Sequence, residues 1–185
     1  MTEENKLNSA DAIAEEIFFI LSSISSLKEL IEQSNSKFEI YKEYSDFFYS
    51  YYVNTYNEIY HSISKLTDNR KDVISLIKLL EKKQPEDKEI SNLLQKIKKH
   101  PITEKIKNKR NNLLAHKNKS LALDKVELNN FYEKNKTNLN EIKELTLILK
   151  RGLDIYLEGT TIFYNSKEAT QIKKIFEKLS INSKI

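Results

Sequence analysis

The chain has 185 residues, a net charge of +4, two glycines, two prolines and no cysteine. Its length suffices for the core of a single domain over residues 1–185, whereas so few turn-forming residues exclude a β-rich fold. The lack of cysteine excludes disulfides and thiolate zinc sites. Because lysine, glutamate and leucine are abundant, the composition predicts an all-α antiparallel bundle of about six to seven helices.

The first two predicted helices are long. Apolar residues repeat at three- and four-residue spacing over residues 10–33, and Ser9 is a candidate N-cap. A second helix is predicted over residues 37–66, where seven of the ten tyrosines lie between Tyr41 and Tyr60. An aromatic stripe of this kind is more often a core or an interface than a surface that stacks bases.

Shorter helices are predicted after a turn at Thr67-Asp68-Asn69. One covers about residues 71–83, and the next begins after Asp87, which can cap it. A break at His100-Pro101 precedes a helix over about residues 102–118. Beyond it, the pattern predicts a short helix from Asp124 and longer helices over residues 139–158 and 167–179.

The helix over residues 102–118 contains the residues that point to function. The apolar positions that share one face of it are Ile102, Ile106, Leu113, Leu114 and Leu121. Arg110 interrupts this face, and His116 lies at its border, about 120° around a straight helix from Arg110. The two side chains converge only if the helix is distorted near Asn111–Asn112, or if a second copy of the chain completes each site across a two-fold axis. Without a function, Arg110 would extend to solvent and His116 would be an ordinary surface residue.

The same region is strongly basic. Residues 95–120 contain eight lysines and one arginine against one acid, a local charge of +8, which leaves −4 for the rest of the chain. Such a segment suits a polyanion, although it is also what a solvated face of a lysine-rich chain looks like. Arginine is rare, with three residues against 28 lysines. Arg110 is therefore notable, since a guanidinium binds phosphate through two parallel hydrogen bonds and an ammonium does not.

The run Arg110-Asn111-Asn112-Leu113-Leu114-Ala115-His116 resembles the R-(polar)-x-x-x-A-H signature of the HEPN superfamily. Ser64-Lys65-Leu66-Thr67-Asp68, followed by an apolar helix at residues 73–80, resembles its abortive-infection branch. The resemblance spans roughly residues 52–123. It implies a helical-bundle homodimer and a metal-independent ribonuclease that acts as a toxin or antiphage effector. Asn118 departs from the pattern, because many relatives have Asp or Tyr two residues after the histidine.

On this resemblance we hypothesise an endoribonuclease whose catalytic residues are Arg110, Asn111 and His116. His116 would transfer a proton, Arg110 would stabilise charge on the phosphoryl oxygens, and Asn111 would orient either group. The predicted RNA-binding residues are Lys109, Lys117 and Lys119. The alternative is a non-catalytic RNA- or protein-binding helical dimer with the same fold.

The sequence also leads to expectations about the cellular location of the protein and about its other binding partners. No apolar run approaches the roughly 20 residues that cross a membrane, and the acidic, polar N-terminus is unlike a signal peptide. We therefore expect a soluble, cytoplasmic protein with no membrane partner. No glycine-rich phosphate loop or metal-ligand spacing is present in the sequence, so no cofactor and no metal are expected. A cognate antitoxin or defence-system protein is a further partner that the resemblance allows.

Overall fold

The computed structural model describes residues 3–70, 73–84, 87–115, 125–158 and 167–182. Those residues form nine α-helices, one π-helical turn and no strand, which confirms the all-α prediction. The helices are α1 (Glu3–Ser36), α2 (Phe38–Glu43), α3 (Ser45–Leu66), α4 (Leu76–Lys83), α5 (Lys88–Lys99), α6 (Pro101–Lys109), α7 (Lys125–Lys134), α8 (Leu139–Tyr156) and α9 (Lys167–Asn182). The π-helical turn, Arg110–Ala115, follows α6 directly. None of the helices within these described ranges is long and apolar enough to cross a membrane.

Two helix boundaries differ from the prediction. Helix α1 begins at Glu3, so Ser9 lies inside the helix, where it is buried, and the prediction that Ser9 is an N-cap is wrong. The helix predicted over residues 37–66 is divided at Tyr44, whose backbone N–H donates to Ile40 O and ends α2. This division helps to raise the number of helices above the six to seven predicted.

The chain divides into two compact units. One consists of Met1–Ile17 with Tyr60–Ile162, and the other of Phe18–Ile59 with Phe163–Ile185. The divisions at residues 17–18 and 59–60 fall within α1 and α3, so both helices contribute to both units.

In the first unit, helices α4, α5 and α6 pack against α8. A methyl group on Gly152 of α8 would lie only 3.0 Å from Leu80 Cδ1, so this glycine permits the close approach of α4. Ile102 and Ile106 of α6 are almost fully buried, as the apolar face of that helix predicts. Burial of these two side chains determines which face of α6 turns toward solvent, and therefore where the residues that follow it lie.

Side-chain caps fix the start of α5 and α6. Asp87 Oδ1 accepts hydrogen bonds from Glu89 N at 2.7 Å and Ile90 N at 3.2 Å, which confirms the predicted cap of α5. His100 Nδ1 accepts from Ile102 N at 3.3 Å, and Pro101 occupies the first position of α6. His100 thus satisfies a backbone donor that the start of a helix otherwise leaves unpaired.

The aromatic stripe contributes to the core of the second unit. Phe48 is buried and stacks on Phe176 of α9, with 4.5 Å between ring centroids and 12° between ring planes. Tyr41 stacks on Phe48 at 5.7 Å. The prediction that the stripe packs rather than stacks bases is confirmed for Phe48, whereas Phe38 and Phe47 are more than half exposed.

Candidate functional site

The helix that contains the R-(polar)-x-x-x-A-H run changes from α-helical to π-helical geometry at Arg110. Asn112 Nδ2 donates to the backbone carbonyl of Asn108 at 2.9 Å, the kind of bond by which asparagine competes with a regular helical ladder. A π-helical turn is rare and occurs often at functional sites. The structure thus contains a distortion near Asn111–Asn112, which was one of the two alternatives by which Arg110 and His116 could converge. A rotation of about 100° per residue no longer applies after Arg110.

The predicted site residues fall into two groups. The described part of the chain includes Lys109, Arg110 and Asn111. Of these, Arg110 and Asn111 line one cleft. His116, Lys117 and Lys119 lie outside the described residues. Their roles as proton-transfer and RNA-binding residues therefore stay predictions.

A cleft of about 660 Å³ opens beside Arg110. Its walls are the end of α3 with the turn that follows, and α6 with the start of the π-helical turn. The residues on these walls that bear on chemistry are Ser64, Asp68, Arg70, Lys107, Arg110 and Asn111. The volume lies within the usual range for small-ligand sites.

The cleft is positively charged. Of the described residues that line it, four are cations (Arg70, Lys98, Lys107 and Arg110) and two are acids (Asp68 and Glu104), a net charge of +2. Lys98 forms an ion pair with Glu81 of α4. The local excess of positive charge, in a concave site, favours an anionic ligand.

Asp68 connects the two walls of the cleft electrostatically. Its carboxylate accepts from Arg70 Nε at 3.0 and 3.2 Å and from the Arg70 backbone N at 3.0 Å, and Arg70 Nη2 lies 2.8 Å from Oδ2. The hydrogen bond from the Arg70 side chain is the main cause that lowers the pKa of Asp68, and the charge of Arg110 lowers it further. Asp68 is thus held ionised beside both arginines.

Ser64 is a buried polar residue on the α3 wall of the cleft. Its side chain is 7% exposed, and its Oγ has no hydrogen-bond partner within the described part of the chain. A buried hydroxyl without a partner is costly, and an unfilled position of this kind is informative at a ligand site.

Lys109 is directed to Tyr60 of α3. Its Nζ donates to the Tyr60 hydroxyl at 3.0 Å and lies 4.8 Å from the ring centroid, while that hydroxyl is 2.7 Å from Thr137 Oγ1. Burial is the main cause that lowers the pKa of Lys109, and the neighbouring charge of Lys105 adds to it. Lys109 therefore anchors the end of α6, and its predicted contact with RNA would require breaking this hydrogen bond.

Arg70 and Lys107 were not predicted as site residues, and Asp68 was assigned to a turn and to the Ser64–Asp68 run of the family resemblance but to no site. One available signal was the rarity of arginine, because two of the three arginines in the chain line this cleft. The third, Arg151, forms an exposed ion pair with Glu89 at 2.9 Å. No group of three or more histidine, cysteine, aspartate or glutamate residues in the described ranges could hold a metal ion.

Comparison with known proteins identifies a family. The model of the HEPN family AbiU2 matches residues 8–156, which include every residue named in the cleft and the whole run from Arg110 to His116. Searches of curated proteins and of solved structures gave no match. The match extends over more than half of the chain and confirms the resemblance to the abortive-infection branch. The chain therefore belongs to the AbiU2 family of HEPN proteins.

Proposed function

We propose that the protein is a metal-independent endoribonuclease of the HEPN type, acting as a toxin or antiphage effector. The observation that carries this proposal is the position of Arg110 and Asn111, which share a positively charged cleft at a π-helical turn. The family and the spacing of Arg110 and His116 in the sequence support it.

RNA contains its own nucleophile, so the protein has to supply only proton transfer and charge stabilisation. The 2′-oxygen loses its proton and attacks phosphorus, while the bond to the 5′-oxygen breaks and that oxygen gains a proton. His116 transfers protons at one or both oxygens, because an imidazole can both accept and donate a proton near neutral pH. Arg110 stabilises the charge that develops on the phosphoryl oxygens, and Asn111 orients the phosphate.

Binding of the strand is assigned to the basic segment around the site. Lys107 is exposed and lines the cleft, and Lys117 and Lys119 follow His116 in the sequence. Ammonium groups contact phosphates without reading bases, so binding should depend steeply on salt and weakly on sequence. Lys109 contributes to binding only if it leaves Tyr60.

The wild-type protein is expected to cleave RNA in the presence of a chelator. The products should end in a 2′,3′-cyclic phosphate and a 5′-hydroxyl, because the 2′-oxygen is the nucleophile. The measurement is end analysis of a labelled oligonucleotide incubated with and without EDTA. A matched substrate with 2′-deoxyribose at the cleaved position should stay intact. Cleavage of that substrate, or products with a 3′-hydroxyl, would contradict the mechanism.

We also propose that the active form is a homodimer, in which a second copy brings His116 to Arg110. Sedimentation at tens of micromolar protein should give a dimer. The cleavage rate per chain should fall when the protein is diluted below the dimer dissociation constant, since each site would then be incomplete. A monomer in sedimentation, or a rate per chain that is independent of dilution through dissociation, would exclude a shared site.

A further inference from the structure

Two of the three arginines line one cleft, in a chain that has 28 lysines. Arg70 follows α3 in the turn on one wall, and Arg110 begins the π-helical turn on the other. Replacing either by lysine would keep the charge, so the presence of arginine indicates a need for the planar guanidinium. That need is explained for Arg70 in part by Asp68, which it binds through two hydrogen bonds.

Asp68 fixes the direction of the Arg70 side chain. The carboxylate is only 9% exposed, whereas the Arg70 side chain is 56% exposed. A nearly buried acceptor therefore helps to hold an exposed side chain at the surface of the cleft. Fixing a guanidinium before a ligand arrives reduces the entropy that is lost on binding.

Positive charges outnumber acids among the described residues that line the cleft. Asp68 and Glu104 are the acids, and the cations are Arg70, Lys98, Lys107 and Arg110. The unpartnered Oγ of Ser64 lies on the same wall as Asp68, where it could donate to an oxyanion after a change of rotamer. Each of these observations favours a phosphate in addition to the one at Arg110.

We propose that Arg70 is a second phosphate-binding residue, held in place by Asp68, that binds the RNA phosphate next to the one cleaved at Arg110. The inference rests on the proposed function and assigns the cleft to the nucleotide adjacent to the cleaved linkage. Arg70 contacts no reacting atom and binds the substrate and the transition state equally. Its loss should therefore raise KM and leave kcat unchanged.

The test combines Arg70→Ala with a change in the substrate. An RNA oligonucleotide with one defined cleavage position is made with a neutral methylphosphonate at the linkage on the 5′ side of the cleaved one, and a second with it on the 3′ side. With one of these two modified oligonucleotides, the KM of the wild-type enzyme should rise about tenfold. That increase corresponds to the loss of one hydrogen bond to a charged group. Arg70→Ala should show that increase already with the ordinary RNA and no further increase with the modified one.

Arg151→Ala is the matched control, because it removes an exposed, ion-paired arginine elsewhere in the same unit. Its KM should match the wild-type value and should rise with the modified RNA as the wild-type value does. Equal KM for Arg70→Ala and wild type would overturn the proposal. So would a further increase for Arg70→Ala with the modified substrate that raises the wild-type KM, since the two effects would then be independent.

Binding to catalytically inactive protein separates this inference from the proposed function. In a His116→Ala background, Arg70→Ala should weaken RNA binding about tenfold and reduce the salt slope of log K by about 0.7, the loss of one single-strand phosphate contact. Arg151→Ala should change neither. If the protein with an intact His116 shows the same dependence of RNA binding on Arg70 and on salt but does not cleave RNA, the catalytic proposal fails and the assignment of Arg70 stands. If slope and affinity are unaffected by Arg70→Ala while the wild type cleaves, only the assignment of Arg70 fails.

Discussion

His116→Ala is expected to lower the rate of RNA cleavage by about 10²–10⁴, the usual cost of removing a proton-transfer group. The loss should appear in kcat, because proton transfer takes place in the transition state and not in the bound ground state. The measurement is single-turnover cleavage of a labelled oligonucleotide by enzyme in excess.

His61→Ala is the matched control for this experiment. His61 lies half-buried on α3, in the same unit as the cleft but not among the residues that line it. The His61→Ala variant should cleave RNA at the wild-type rate. Circular dichroism and RNA affinity of His116→Ala should equal those of the wild type. Cleavage by His116→Ala at the wild-type rate would favour the alternative of a non-catalytic RNA- or protein-binding helical dimer.

Much of the local structure followed from side-chain patterns. The cap at Asp87 and the buried face of α6 were predicted because each depends on residues a few positions apart. The start of α1 was missed because an apolar repeat detects only the buried face, whereas residues 3–8 extend the helix without adding to that repeat. The break at Tyr44 lacks glycine and proline, the residues that usually mark one.

The candidate site could be predicted only where its residues are close in sequence. Arg110 and Asn111 were found because they belong to one motif, and a helical distortion was one of two alternatives suggested by the angle between Arg110 and His116. The charge of Arg110 on Asp68 links residues 42 positions apart, which only tertiary packing brings together. Likewise, Lys109 looked like an exposed cation until the fold placed it against Tyr60.

Arg110→Ala is expected to lower cleavage by about 10²–10³, the usual cost of removing one electrostatic donor to the transition state. Arg110 lines the cleft at the point where α6 changes to π-helical geometry, and its charge acts on Asp68. Because it stabilises charge that develops during the reaction, kcat and kcat/KM should fall by equal factors. Steady-state kinetics on one oligonucleotide, beside Arg70→Ala, should therefore separate a loss in kcat from an increase in KM.

The stability of Arg110→Ala should stay close to the wild-type value. Asp68 keeps its hydrogen bonds to Arg70 after the change, so no buried carboxylate is left without a partner. Thermal unfolding and sedimentation check that the fold and the association state are retained.

Arg110→Lys is the sharper variant, because it preserves the charge and removes the two parallel hydrogen bonds that a guanidinium gives to phosphate. Relative to Arg110→Ala, it should recover part of kcat and leave KM unchanged. Full recovery of kcat would mean that charge alone suffices, and wild-type kcat in Arg110→Ala would remove this residue from the mechanism.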